Sequence, residues 1–285
     1  MILLENKIFS YNYKFKMSNN LIDHFKSSQY LSLKYKNYFN VYEKILKNFK
    51  KKKITFVEVG VFSGGSLFMW RKFFGKKARI IGVDLNPESK RFEKFGFEIF
   101  VGNQSSKEFW QSFFKKVGKV DIVIDDGGHT NYQQIMTAVC CIPNIKDNGI
   151  LVVEDVFHSY LRKKYFNPSK FSFLNFSKKL IDDINFRFPN LSQFKFSLNR
   201  YIYSIEYFES LVCFNINKKL CKKNEVIKNK GMNILVRDMA HAQEYNVPGS
   251  NFFIVKLKNF FKFFKGNLTF LVFLLNNFSL KKYFK

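Results

Sequence analysis

"KKITFVEVGVFSGGSLFMWRKFF", residues 52–74, is the stretch whose reading decides the fold. Apart from Glu58, Ile54 to Val59 is a run of β-branched, aromatic and apolar residues, the composition of a buried strand. Gly60, Gly64 and Gly65 break the run, and a helix-like segment rich in Leu, Phe, Met and Trp follows. The reading is therefore strand, tight glycine turn, helix. The same unit recurs downstream. "ARIIGVDLNP" (78–87), "FEIFVGNQS" (97–105), "KVDIVIDDGGH" (119–129) and "NGILVVEDVFHSY" (148–160) read as four further strands. "SSKEFWQSFFKKV" (105–117) and "NYQQIMTAVCCIPNI" (131–145) read as helices between them. Strands alternating with helices imply right-handed βαβ units and a parallel sheet covered on both faces.

Outside this region the pattern is looser. Residues 18–50 read as helical, with apolar and aromatic residues at three- and four-residue steps in "YLSLKYKNYFNVYEKILKNF" (30–49). Beyond Tyr160 come a loop and a helix, and then "YIYSIEYFESLVCFNIN" (201–217), two strands on a short turn that suit an antiparallel edge. The expected organisation is an N-terminal helical region at 1–50, an α/β domain at 51–221 and a basic, aromatic extension at 222–285, with Met17 an alternative start to Met1.

Composition bounds the partners. A hydrophobic fraction of 46%, with 38 phenylalanines, is enough for a full core. The net charge of +26 favours anionic partners in general. The lysines are scattered, however, and only Lys50 to Lys53 form a solid run, so there is no basic stripe of the kind that tracks a nucleic acid. Cys140, Cys141, Cys213 and Cys221 fit neither a zinc pattern nor a disulfide framework, which points to a reducing cytoplasm. The N-terminus lacks the apolar core and small-residue site of a signal peptide. "GNLTFLVFLLNNFSL" (266–280) is shorter than the roughly 20 apolar residues of a spanning helix.

In an open parallel sheet, ligands bind beyond the carboxyl ends of the strands where the strand order switches. The informative residues cluster at those ends. Gly60, Gly64 and Gly65 permit close approach of a ligand to the backbone, and Glu58 places a carboxylate inside the strand. Asp84 ends the next strand about 20 residues further on, where an acid accepts hydrogen bonds from a ribose in nucleotide-binding folds. The glycine spacing departs from the dinucleotide pattern, which disfavours NAD and FAD. Asp125 and Asp126 end the fourth strand; Glu154 and Asp155 end the fifth. Neighbouring parallel strand ends converge, so Asp126, Glu154 and Asp155 could meet as three oxygen ligands for Mg²⁺ or a similar divalent ion. Repulsion between these acids favours a cation over a purely helix-capping role.

Taken together, "FVEVGVFSGGSLFMW", "IIGVDLNP", "VGNQSS", "DIVIDDGGH" and "GILVVEDVFHSY" resemble a class I S-adenosylmethionine-dependent methyltransferase. By motif the resemblance is strongest to the metal-dependent sugar O-methyltransferases of macrolide biosynthesis and to cephalosporin hydroxylase-like proteins. It covers roughly residues 30–160, with weaker support to about 220. It implies a Rossmann-like, doubly wound, mostly parallel sheet. Glu58, Gly60, Ser63 and Gly64 would line the methionine part of S-adenosylmethionine, Asp84 would bind the ribose, Gln104 would lie near the adenine, and Asp125 would close the pocket. The matching positions in the relatives support Asp126, Glu154 and Asp155 as Mg²⁺ ligands. His129, three residues beyond Asp126, would be the base that deprotonates the acceptor hydroxyl; His158 and Tyr160 would contact substrate.

The leading expectation is a metal-assisted O-methyltransferase for a sugar hydroxyl, on a nucleotide sugar, a surface-polysaccharide precursor or a glycosylated natural product. A nucleic-acid methyltransferase is the alternative. The Asn/Asp-Pro-Pro-aromatic element of base amino-methylation is missing, and "DDGG" (125–128) stands in its place. A third reading is a membrane-associated cofactor-binding module, since "FFIVKLKNFFKFFKGNLTFLVFLLNNF" (252–278) mixes Lys and Phe as an interfacial helix does. Homo-oligomer formation is left open.

Overall fold

A computed structural model describes residues 20–161, 170–187, 198–222 and 224–232. Cα packing divides the chain into two units, Met1–Glu225 and Val226–Lys285, and the sheet and its helices belong to the first. The basic aromatic stretch 252–278 lies outside the described residues.

Seven strands form one sheet in the order β3-β2-β1-β4-β5-β7-β6. They are β1 (Thr55–Val59), β2 (Arg79–Asp84), β3 (Glu98–Val101), β4 (Val120–Asp125), β5 (Ile145–Val153), β6 (Ile202–Phe208) and β7 (Leu211–Ile216). The first five are parallel. β7 inserts antiparallel between β5 and β6, so the expected hairpin edge is present. The order reverses between β1 and β4, and that is where the ligand-binding crevice of such a sheet must lie.

Both faces of the sheet are covered, and the side chains of β1 show how. Val57 and Val59 join one core with Trp110, Phe113 and Phe173; Phe56 joins the other with Tyr42, Trp70 and Phe74. Helices α4 (Lys107–Val117), α5 (Asn131–Cys141) and α6 (Phe173–Asn185) cover the first face. α1 (Leu21–Lys26), α2 (Lys36–Leu46) and α3 (Gly65–Phe74) cover the second. With no solvent face, the strands read as continuous apolar runs without polar alternation. The helix starts are capped by their own sequence. Ser106 Oγ accepts from the Phe109 amide at 3.0 Å, and Thr130 and Gln133 form a reciprocal capping box.

The N-terminal region corrects the continuous helix expected over 18–50. Helix stops at Lys26 and resumes at Lys36. Between them the chain runs without helix along the start of α3. Ser28 Oγ donates to the Gly65 carbonyl at 2.8 Å, and the Gly65 amide donates to the Leu31 carbonyl at 3.3 Å. A Cβ at position 65 would sit 2.2 Å from the Tyr30 carbonyl oxygen, so the glycine permits this contact. The aromatic periodicity of residues 30–49 belongs to α2 alone; Tyr30, Leu31, Leu33 and Tyr35 of the preceding segment are exposed. The four cysteines are free thiols. Among the described residues no helix is long and apolar enough to cross a membrane.

Candidate active site

The ends of β1, β2, β3 and β4 enclose a cavity of about 720 Å³. The register brings Val59 beside Asp125 and Val83 beside Phe100, so these strands finish together. Gly60, with φ of +90°, turns the chain out of β1; a Cβ there would meet the Asp126 carbonyl oxygen at 2.1 Å. The glycine thus lets the β1 and β4 turns cross.

Asp84 lines this cavity and organises its floor. Its Oδ2 accepts from the amides of Val61 and Phe62 at 2.7 and 3.1 Å, and its Oδ1 accepts from Asn86 N at 2.8 Å. Lone pairs remain for a ligand hydroxyl. Gln104 reaches the opposite wall. It donates to Asp125 Oδ1 at 3.0 Å and to Thr137 Oγ1 at 3.1 Å, and it accepts from Gly128 N at 2.9 Å. Gly60 and Ser63 also line the cavity. Asp125 sits beneath it, buried, with its carboxyl pushed up to about 6 by burial.

Two residues assigned to this pocket from sequence stand elsewhere. Glu58 is fully buried on the α3 side of β1 and accepts from Ser66 Oγ at 2.7 Å and from Trp70 Nε1 at 2.9 Å. Burial pushes its pKa up to about 7 against those hydrogen bonds. Gly64 is the left-handed cap of α3, where a Cβ would strike the Phe92 ring at 2.4 Å. Neither residue lines the cavity.

A second cavity, of about 480 Å³, shares Gly60, Phe62, Asp126 and Gly127 with the first. Here the chemistry of the β4 and β5 ends gathers. His129 Nε2 lies 3.5 Å from Asp155 Oδ2 and 3.9 Å from Asp126 Oδ1. Ligand atoms of Asp126, His129 and Asp155 all fall within 4.8 Å of one another. His129 and Asp155 both hold left-handed backbones, with φ of 58° and 57°. Such conformations cost of order 1–3 kcal/mol in non-glycine residues and are concentrated at functional sites. The buried Nδ1 of His129 has no hydrogen-bond partner among the described residues.

Glu154 does not join this group. Its two oxygens each accept from Lys34 Nζ at 2.9 Å, and Oε1 also accepts from the Tyr42 hydroxyl. Of the three carboxylates expected as ligands, Asp126 and Asp155 face His129, while Glu154 is engaged by Lys34 and Tyr42. Glu154 follows the end of β5, and Asp155 next to it stands in a left-handed turn with φ of 57°. The other two substrate candidates lie outside the second cavity. The His158 ring lies 5.0 Å from that of His129. Tyr160 is exposed and lines a third cleft with Tyr35, Tyr38 and Phe157.

Sequence reading missed Lys34, Tyr38 and Tyr42. Lys34 Nζ is buried, 2.6 Å from Asp126 Oδ2 and 3.8 Å from Glu58 Oε1. Burial alone would lower its pKa, but Asp126, Glu154 and Glu58 outweigh that and hold it above its ordinary value. Tyr38 donates to Asp155 Oδ1. In a chain with 48 Lys and Arg residues, nothing local marks one lysine as buried.

Residues 57–156 match the family model described as a methyltransferase domain. This chain carries a methyltransferase domain. The match runs from β1 to just past Asp155 and so contains both cavities' strand ends. Over 126 residues the chain is 29% identical to a mycinamicin VI 2''-O-methyltransferase of Micromonospora griseorubida, covering 42% of this chain and 31% of that enzyme. Over 158 residues it is 30% identical to an 8-demethyl-8-alpha-L-rhamnosyl tetracenomycin-C 2'-O-methyltransferase of Streptomyces olivaceus, covering 52% and 41%. The match thus spans only 31% and 41% of the length of these two curated relatives. A solved structure of the MycE methyltransferase with Mg, SAH and mycinamycin VI superposes with a TM-score of 0.62 at 21% identity, covering 78% of this chain and 58% of that one. At this identity the superposition shows the fold of the methyltransferase domain.

Proposed function

We propose that this chain is an S-adenosylmethionine-dependent O-methyltransferase that acts on a sugar hydroxyl of a glycosylated small molecule with the help of a divalent cation. One observation carries the reading. A nucleotide-sized cavity and a second cavity bearing His129, Asp126 and Asp155 meet at a common wall of Gly60, Phe62, Asp126 and Gly127. A methyl donor and an acceptor need such adjoining rooms. The name of the tetracenomycin relative, a 2'-O-methyltransferase of a rhamnosyl compound, supports the acceptor class. The free thiols suit a reducing compartment.

The residues fit both groups. Gly60, Ser63, Asp84 and Gln104 would hold S-adenosylmethionine, whose sulfonium supplies an electrophilic methyl. Asp126 and Asp155 offer hard, partly exposed carboxylate oxygens that suit Mg²⁺ or a similar ion, with Glu154 behind Lys34 as the third acid of the cluster and His129 beside them as the base. When bound, such an ion lowers the pKa of a hydroxyl and fixes its position. The chain's own residues do the rest. Asp84 anchors the β1 turn so that the donor cavity keeps its shape. Gly127 and Gly128 leave room for Gln104 and Gln133, so the turn stays tight and carries His129 to the acceptor side. His129 takes the acceptor proton; Tyr38 holds Asp155 in place by donating to it. Phe62 and Leu33, both exposed and both on the second cavity, offer apolar surface to the acceptor.

The reading is tested by titrating S-adenosylhomocysteine into wild type and into Asp84→Ala. Losing a charge-assisted hydrogen bond costs roughly 1.5–3 kcal/mol, so affinity should fall about 10- to 150-fold. Unchanged affinity in a folded variant would remove Asp84 from the cofactor site.

A further inference from the structure

Phe62 stands in the turn between β1 and α3 with a left-handed backbone, φ of 50°. Bulky side chains rarely adopt that conformation, whereas glycine does so freely. The position follows Gly60 by two residues, where the G-x-G-x-x-G turn of nucleotide-binding sheets has its second glycine. Asp84 fixes the strained turn, since its Oδ2 accepts from the amides of Val61 and Phe62 at 2.7 and 3.1 Å. The ring gains little from the protein itself, because Phe62 is 64% exposed. A side chain that strains its own backbone and buries little of itself points to contact with a ligand.

Its place narrows that ligand. Phe62 lines both cavities, whereas Tyr30 and Phe92 line the first alone and Tyr35 and Tyr38 the second alone. A methyl group that leaves a donor in the first cavity for an acceptor in the second must cross the wall they share, so the sulfonium belongs at that wall. Gly60, Asp126 and Gly127 are the other residues common to both cavities. The two glycines offer backbone only, and the Asp126 carboxylate is already bonded to the buried ammonium of Lys34 at 2.6 Å. Phe62 adds a different electron-rich surface, since the face of an aromatic ring carries partial negative charge and attracts cations.

We propose that Phe62 is a specificity residue that recognises the positive charge of the methyl donor. Its ring makes the site prefer the sulfonium of S-adenosylmethionine to the neutral thioether of S-adenosylhomocysteine. The inference rests on the S-adenosylmethionine-dependent reading above. The preference serves turnover, because the ring attracts the charged form of the cofactor and has no such hold on the spent form. An aliphatic side chain of similar size would cover the site as well, yet it would not tell the two forms apart.

The test is calorimetric titration of the full chain with S-adenosylmethionine, S-adenosylhomocysteine and sinefungin, an analogue whose amine carries a positive charge in place of the sulfonium. Wild type is compared with Phe62→Leu, which keeps apolar bulk without the π face, and with Phe62→Tyr, which keeps that face. Phe62→Leu should lose about three- to thirty-fold in affinity for the two charged probes, the range of a cation–π contact, and less than about two-fold for S-adenosylhomocysteine. Phe62→Tyr should keep the wild-type preference. Equal losses for all the probes, or no loss for any, would overturn the proposal and leave Phe62 as apolar cover. Phe62→Gly separates binding from folding. It relieves the left-handed backbone and removes a mostly exposed ring, so it should melt no lower than wild type while losing the preference for charge. A clear fall in its melting temperature would make the ring a structural brace and overturn the proposal. If wild type binds none of the probes, the cofactor reading fails together with this one. If wild type binds them and Phe62→Leu keeps the wild-type ratio of affinities, this inference alone fails.

Discussion

His129, the base of the proposed reaction, is held by an unusual local backbone. Its φ of 58° turns the imidazole back over Asp126 and toward Asp155 across the β4 and β5 ends. Replacing His129 with Ala should slow the chemical step by roughly 10²- to 10⁴-fold, the range for a positioned base. S-adenosylhomocysteine binding should be unaffected, because His129 lines only the second cavity. Single-turnover rates beside a titration of the product check both halves, and near-normal turnover would move the base to another group. Asp155 carries the same kind of backbone and a hydrogen bond from Tyr38. Tyr38→Phe should therefore lower turnover with little change in cofactor affinity, since it frees the carboxylate without touching the larger cavity. Steady-state kinetics with saturating cofactor would show this as a fall in kcat.

Among elements, the sheet and its helices were legible in sequence, whereas the N-terminal segment was not. Strands buried on both faces leave uninterrupted apolar runs, and their glycine-rich ends mark the turns. That is why β1 to β5 and the positions of Asp84, Asp125 and Asp126 could be read from residues alone. The segment from Ser27 to Tyr35 has no such pattern. Its place is set by hydrogen bonds of the Ser28 hydroxyl and the Leu31 carbonyl to α3 and by one buried ion-pair cluster, all of which are long-range. Two adjacent acids after β5 likewise look equivalent in sequence, yet Asp155 stands in a left-handed turn and meets Tyr38 and His129, whereas Glu154 meets Lys34 and Tyr42. Gly65→Ala tests this segment. A Cβ 2.2 Å from the Tyr30 carbonyl and 2.7 Å from that of Leu31 must push the segment off α3. The cost should be about 1–3 kcal/mol, as for overpacking, read as a lower melting temperature.

For the whole molecule, buried acids give the fold a characteristic response to pH. Asp125 and Glu58 are buried on opposite faces of the sheet, and burial pushes their pKa values up to about 6 and about 7. In the unfolded chain both return to ordinary carboxylate values, so between about pH 4 and pH 7 the folded state holds more protons than the unfolded state. Their contribution to stability is complete below the unfolded pKa and is lost as pH rises through the folded one. Asp125→Asn removes one of these groups and keeps its hydrogen-bonding shape. The decline in melting temperature between pH 5 and pH 7.5 should be shallower in that variant than in wild type, and an equal slope would place the titrating group elsewhere. The high net charge of +26 acts at this scale too, yet the two cavities take their character from local acids and not from the lysine excess. The central claim is that the methyl group goes to a sugar oxygen. The direct measurement is mass spectrometry of products after incubating the full chain with S-adenosylmethionine, Mg²⁺ and a mixed panel of nucleotide sugars, glycosylated polyketides and RNA. The account predicts methyl on a sugar hydroxyl, abolished by chelation and by Asp155→Ala. Methyl found on RNA and on none of the sugars would contradict it.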